Sequence, residues 1–82
     1  MRETVELIVK ALVDDKTAVD VREIDRSGLS LIEVRVAPGD MGKVIGKQGR
    51  TVKALRSLVG AVGAKQKRRL SLEIVETVDE RA

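Results

Sequence analysis

Apolar positions at the start of the chain recur in the rhythm of a helix. Val5, Ile8, Val9 and Leu12 stand at i, i+3, i+4 and i+7, with Glu3, Glu6 and Lys10 on the wet side. The spacing predicts an amphipathic helix over 4–13, ended by the polar run Asp14-Asp15-Lys16. The rhythm then changes to two. Over 18–26 and 29–37, Val19 and Val21, then Ile32, Val34 and Val36, alternate with polar neighbours, the pattern of half-buried strands. Arg26-Ser27-Gly28 between them reads as a hairpin turn in which Gly28 supplies a positive φ. Ile24 is out of phase, which predicts a bulge or a one-residue change of phase there.

Pro38-Gly39 stops the second strand, and Asp40 is placed to cap a very short helix from Met41 to Ile45. A glycine-bracketed turn follows, and a longer helix begins at about Arg50 with the inner stripe Val52, Leu55, Val59 and Val62. Gly60 and Gly63 weaken its later turns and mark close packing or early fraying. Ala64 to Arg69 reads as a basic loop. Leu70, Leu72 and Ile74 alternate as a third strand, and the tail from Thr77 to Ala82 is polar and frayed. The order α-β-β-α-α-β is that of an α+β fold. It implies a three-stranded mixed sheet with the first two strands antiparallel, the last two parallel, and the helices packed on one face. All 82 residues are expected to form a single domain, with its core over 4–76.

Composition narrows the chemistry. Apolar residues make up 43% of the chain and charged residues 35%, a globular balance with no stretch long enough to span a membrane. No signal peptide is visible at Met1, so the chain reads as cytoplasmic, with no membrane partner. The absence of Cys and His removes disulfides, thiol chemistry and most transition-metal sites, and nothing calls for a cofactor. Phe, Trp and Tyr are also absent, which excludes modules that stack bases on aromatic rings.

The net charge of +3 conceals a segregation. Residues 1–40 carry six Lys/Arg against nine Asp/Glu, and residues 71–82 carry one against four. Residues 41–70 carry Lys43, Lys47, Arg50, Lys53, Arg56, Lys65, Lys67, Arg68 and Arg69 with no acid at all. An acid-free basic tract of this length is the electrostatic footprint of a polyanion partner.

Within that tract lies Gly42-Lys43-Val44-Ile45-Gly46-Lys47-Gln48-Gly49-Arg50. Gly46 is placed to adopt the left-handed conformation that ends the short helix, and Gly49 to let backbone approach backbone where the next helix begins. With no Cβ at either end, a phosphodiester chain can lie against the loop, attracted by the N–H groups at the start of the second helix. Lys47 and Gln48 project beside it, and Lys43, Arg50 and Lys53 extend the positive track. The stretch is neither a Walker loop nor a dinucleotide fingerprint, because the glycine spacing of both is wrong.

The run Val44-Ile45-Gly46-Lys47-Gln48-Gly49-Arg50 resembles the signature of a KH domain, whose Gly-x-x-Gly loop clamps a four-nucleotide single strand. The order of elements resembles the type II arrangement. With the phrase Val36-Ala37-Pro38, the chain is similar to the KhpA family of stand-alone bacterial KH proteins. That resemblance implies a cytoplasmic single-stranded RNA-binding protein with the role of an RNA chaperone or post-transcriptional regulator. It further implies self-association and pairing with a larger KH protein of the KhpB type, in cell elongation and cell-wall homeostasis.

KH domains read bases in an aliphatic groove. Here that role is expected of Val44 and of the strand-two side chains from Ile32 to Val36, with Ile45 assigned first to the core and second to base contact. Thr51 is expected to satisfy the first turn of the long helix. Few base contacts and no stacking imply low specificity and micromolar, salt-sensitive binding. Arg56 extends the same basic face or is simply solvated. Lys65, Lys67, Arg68 and Arg69 form a secondary RNA track or a solubilising loop. Ala54, Leu58 and Ala61 form a second apolar set on the long helix, the candidate face of a homodimer unless the sheet covers it. Enzymatic catalysis is disfavoured, because the acids avoid the glycine loop. Two other readings stand beside RNA binding: a helix-turn-helix-like DNA-binding protein, and a protein-interaction module whose loop no longer takes RNA.

Overall fold

The computed structural model describes residues 1–76; the tail expected to fray lies outside the described residues. Six elements follow one another: α1 (Arg2–Leu12), β1 (Asp20–Arg26), β2 (Leu29–Val36), α2 (Met41–Ile45), α3 (Arg50–Lys65) and β3 (Arg69–Glu76). Single 3-10 turns lie at Lys16–Ala18, Pro38–Asp40 and Lys47–Gly49. The fold is α+β. Its sheet has the order β1-β2-β3, antiparallel between β1 and β2 and parallel between β2 and β3, as the order of elements implies.

The hairpin is a two-residue turn. Ser27 at φ +48 and Gly28 at φ +82 both adopt positive φ, so its twist matches that of the strands it joins. The register from Asp20↔Arg35 to Arg26↔Leu29 is unbroken, so the bulge expected at Ile24 is absent. Instead, Val21, Glu23 and Asp25 share the helix-covered face while Ile24 stands on the open one, as period-two alternation demands. Both acids on that face remain exposed, and a basic side chain reaches Glu23. Arg68 Nη2 lies 3.3 Å from Glu23 Oε1 and donates to Ser30 Oγ at 2.9 Å, and Ser30 in turn donates to Asp25. No buried side-chain N or O atom is unpaired among the described residues.

The core is aliphatic throughout. Val5 and Val9 from α1, its C-cap residue Val13 and Val44 from α2 close over Val21, Ile32, Val34, Val36, Leu70 and Leu72 of the sheet, together with Val52, Leu55 and Val59 from α3. The buried stripe of α1 therefore runs through Val13, and Leu12, expected inside, is exposed. On α3 the stripe ends at Gly63, with Val62 half-buried beside it. A Cβ on Gly63 would stand 2.8 Å from the Arg68 carbonyl oxygen and 3.1 Å from Leu70 Cβ, so this glycine marks close packing and not fraying. The helix accordingly continues to Lys65. The basic loop expected over 64–69 shrinks to Gln66–Arg68, because Arg69 already belongs to β3.

Candidate nucleic-acid interface

Between α2 and α3 the backbone reverses through three positive-φ residues. Gly46 sits at φ +79, ψ 171, Gln48 at φ +57, ψ 25, and Gly49 at φ +74, ψ 15. Gly46 is thus not in the left-handed helical well expected of it but in an extended positive-φ region essentially reserved for glycine. Crowding adds a second requirement, since a Cβ there would stand 2.8 Å from Thr51 Cβ and closer still to its Oγ1. At Gly49 the expected close approach of backbones is absent: the nearest atom to a Cβ would be Val52 Cγ1 at 4.0 Å. Its glycine serves the left-handed turn that starts α3. No side chain caps that start, Thr51 included; the Arg50 N–H already donates to the Lys47 carbonyl, and the N–H groups that follow it in the first turn keep their capacity for an anionic acceptor.

Lys47 and Gln48 are exposed at the tip of this turn, and Arg50, Lys53 and Arg56 are exposed along α3. Arg50 and Lys53, three apart on the helix, lie on one face next to the loop. None of these cations has an ion pair among the described residues, so their charge is available to a polyanion. Lys65 stands at the far end of α3, about 20 Å away at 1.5 Å per residue. Lys67 and Arg69 lie beyond it, Arg69 on the open face of the sheet. Arg68 is committed to Glu23 and Ser30, so the structure removes it from a secondary track.

Lys43 also differs from expectation. Its Nζ bonds the Asp14 carboxylate and lies 3.4 Å from Asp40 Oδ1, so it contributes no free charge to the loop. Asp40 itself, expected to cap α2, does not. It is 4% exposed, and its Oδ1 and Oδ2 accept the N–H groups of Asp14 at 3.2 Å and Asp15 at 3.0 Å. The Asp15 N–H chiefly holds the Asp40 carboxyl below its ordinary range, against the opposing effect of burial; Asp14 N–H and Lys43 add to it. The hydrogen bond to Asp14 chiefly raises Lys43, again against desolvation, with Asp40 assisting. No sequence signal joins Asp40 to a turn twenty-five residues upstream.

The aliphatic side chains fall in an order opposite to the one expected. Val44 is completely buried and belongs to the core, whereas Ile45 is 37% exposed beside the loop. Ile32, Val34 and Val36 are completely buried beneath the helices, so these three side chains of β2 line no groove at the surface. Ile45 is the exposed large aliphatic side chain next to the loop. On α3, Ala54, Leu58 and Ala61 are all exposed, so the sheet does not cover that set. Among the described residues no group of His, Cys, Asp or Glu side chains is placed to hold a metal ion, and no helix is long and apolar enough to cross a membrane.

Comparison with known proteins matches residues 2–74 to the model of the KhpA/KhpB KH domain. The chain is 53% identical over 75 residues to the RNA-binding protein KhpA of Caldanaerobacter subterraneus, covering 92% of this chain and all of the relative. It is 55% identical over 76 residues to the RNA-binding protein KhpA of Halalkalibacterium halodurans, covering 93% of this chain and all of that protein. Identity to the Aquifex aeolicus RNA-binding protein KhpA is 49% over 76 residues, covering 93% and 96%. A crystal structure of Aquifex aeolicus Era, bound to GDP and aluminium fluoride, superposes on 96% of this chain and 31% of its own with a TM-score of 0.58 at 17% identity, a likeness of fold.

Proposed function

The chain belongs to the KhpA/KhpB KH-domain family, a family of binding proteins and not of enzymes, and from that premise we propose that it binds single-stranded RNA. The RNA backbone is clamped by the Gly46-Lys47-Gln48-Gly49 turn. One observation carries this reading: an exposed, positive-φ turn presents Lys47 and Gln48 beside an uncapped helix start and unpaired Arg50 and Lys53. Phosphates sit against the turn and the α3 N–H groups, and bases meet Ile45. The helix-turn-helix alternative is weaker, because α2 has five residues and spends one face on Val44.

The finer physiology belongs to the same proposal. The chain acts in the cytoplasm as an RNA chaperone or post-transcriptional regulator. It self-associates through Ala54, Leu58 and Ala61 of α3 and pairs with a larger KH protein of the KhpB type in cell elongation and cell-wall homeostasis.

Fluorescence polarisation with a short oligouridylate tests the clamp. With three to five phosphates neutralised, log K falls against log salt with a slope of roughly −2 to −3.5. Replacing both Lys47 and Gln48 with Asp is expected to weaken binding at least about tenfold, by removing one cation and adding two anions. Retained affinity in that variant, affinity independent of salt, or preferential competition by duplex DNA argues against the clamp.

A further inference from the structure

We propose that Asp40 is a positioning residue for the Gly46–Gly49 turn, and that Lys43 serves as its counter-ion instead of as a phosphate ligand. The inference rests on the clamp reading above and names what holds that clamp in place.

α2 is a helix of little more than one turn, with no side-chain cap at its start. A helix that short has almost no stability of its own, so its orientation is set from outside. Two attachments do this. Val44 inserts into the core on one side. On the other, Asp40, immediately before the helix, reaches across to the turn that follows α1 and accepts N–H groups from both Asp14 and Asp15. A carboxylate that is 4% exposed needs such donors, and it finds them only while α2 and the end of α1 keep their present relation. Gly46 follows the helix directly, with its N–H donating to the Gly42 carbonyl at 2.9 Å, so any rotation of α2 is passed on to the turn.

Lys43 completes the latch. Its ammonium faces two carboxylates, the buried Asp40 and the exposed Asp14, and a phosphate approaching Lys43 would meet the Asp14 carboxylate as well. Lys47, Arg50 and Lys53 carry no such burden. The two kinds of cation therefore differ in one measurable respect. Loss of a phosphate ligand flattens the salt dependence of binding, whereas loss of a positioning contact lowers affinity at unchanged salt dependence.

The test compares Lys43→Met, Lys47→Met and Asp40→Asn in the full chain, titrated with the same oligouridylate across a salt series. Lys47→Met is expected to reduce the magnitude of the slope by about 0.7, the value for one phosphate on a single strand. Lys43→Met and Asp40→Asn are expected to weaken binding roughly threefold to tenfold, as the fraction of chains with a competent turn falls, at the parent slope. Lys43→Arg is expected to restore the parent affinity. A second arm needs no RNA: hydrogen exchange of the Asp14, Asp15 and Gly46 amides is expected to speed up by about tenfold in Asp40→Asn. If Asp40→Asn does not fold, Lys43→Met carries both arms, with faster exchange of the same amides. A slope for Lys43→Met that flattens as in Lys47→Met, or unchanged exchange in a folded Asp40→Asn, overturns the proposal. Faster exchange in a chain that binds no RNA keeps the latch and removes the clamp reading instead.

Discussion

Gly46 is the residue on which the candidate site turns, for two separable reasons. Its φ of +79 with ψ 171 is a conformation that costs a substituted residue about 1–3 kcal/mol, and Thr51 occupies the space a Cβ would need. Gly49 has only the first kind of requirement, in the milder left-handed well, where a side chain costs about 1–2 kcal/mol and meets no atom closer than Val52 Cγ1 at 4.0 Å. Gly46→Ala is therefore expected to lower the urea midpoint more than Gly49→Ala does; the opposite order would mean that Thr51 yields freely. The pair Val44 and Ile45 shows what one position means here. The two are alike in chemistry and adjacent in sequence, yet one is core and the other half exposed. A five-residue helix contains too few turns for periodicity to fix which of two neighbouring aliphatics faces inward.

Among the elements, α2 depends most on its surroundings, and pH reports on its latch. The folded Asp40 carboxyl titrates below its unfolded value of about 3.9. Its contribution to stability is thus complete above that value and is lost as pH falls through the folded one. Lys43 is raised, so its contribution is complete below about 10.4 and is lost only as pH rises through its higher folded value. The charged side chain that contacts Asp40 is Lys43, whose Nζ lies 3.4 Å from its Oδ1. The gap in melting temperature between the parent and Asp40→Asn is expected to stay constant from about pH 5 to 9 and to close below about pH 4. A gap that is still full at pH 2 would place the Asp40 charge outside the latch. β1 makes a related point: Glu23 and Asp25 share the phase of Val21 but stay exposed, and the Arg68 that pairs with Glu23 lies beyond the C-terminal end of α3.

For the whole molecule, the arrangement separates two surfaces. The acid-free tract places unpaired cations around the turn and along α3, whereas its remaining members gather at the far end of that helix or are paired, Arg68 with Glu23 and Lys43 with Asp14 and Asp40. The exposed set Ala54, Leu58 and Ala61 shares α3 with the cations without joining the core. If this face makes the homodimer, the parent sediments at twice its 8.9 kDa and Leu58→Glu sediments as a monomer. A dimeric Leu58→Glu would move the interface elsewhere.

The order of elements, the sheet pairing, the hairpin, the bounds of α2 and the glycine turn all follow from the chain itself. Each rests on neighbours within about four residues or on the strict alternation of a strand. What lay beyond that range is the partnership of distant charges. Asp40 with Asp14 and Asp15, Lys43 with Asp14, and Arg68 with Glu23 are contacts across 25 to 45 residues. They turned two members of an apparently uniform basic tract into structural cations. Charge along a sequence can be counted locally. Whether a charge is free depends on which other segment the fold brings beside it, and only the tertiary structure decided that.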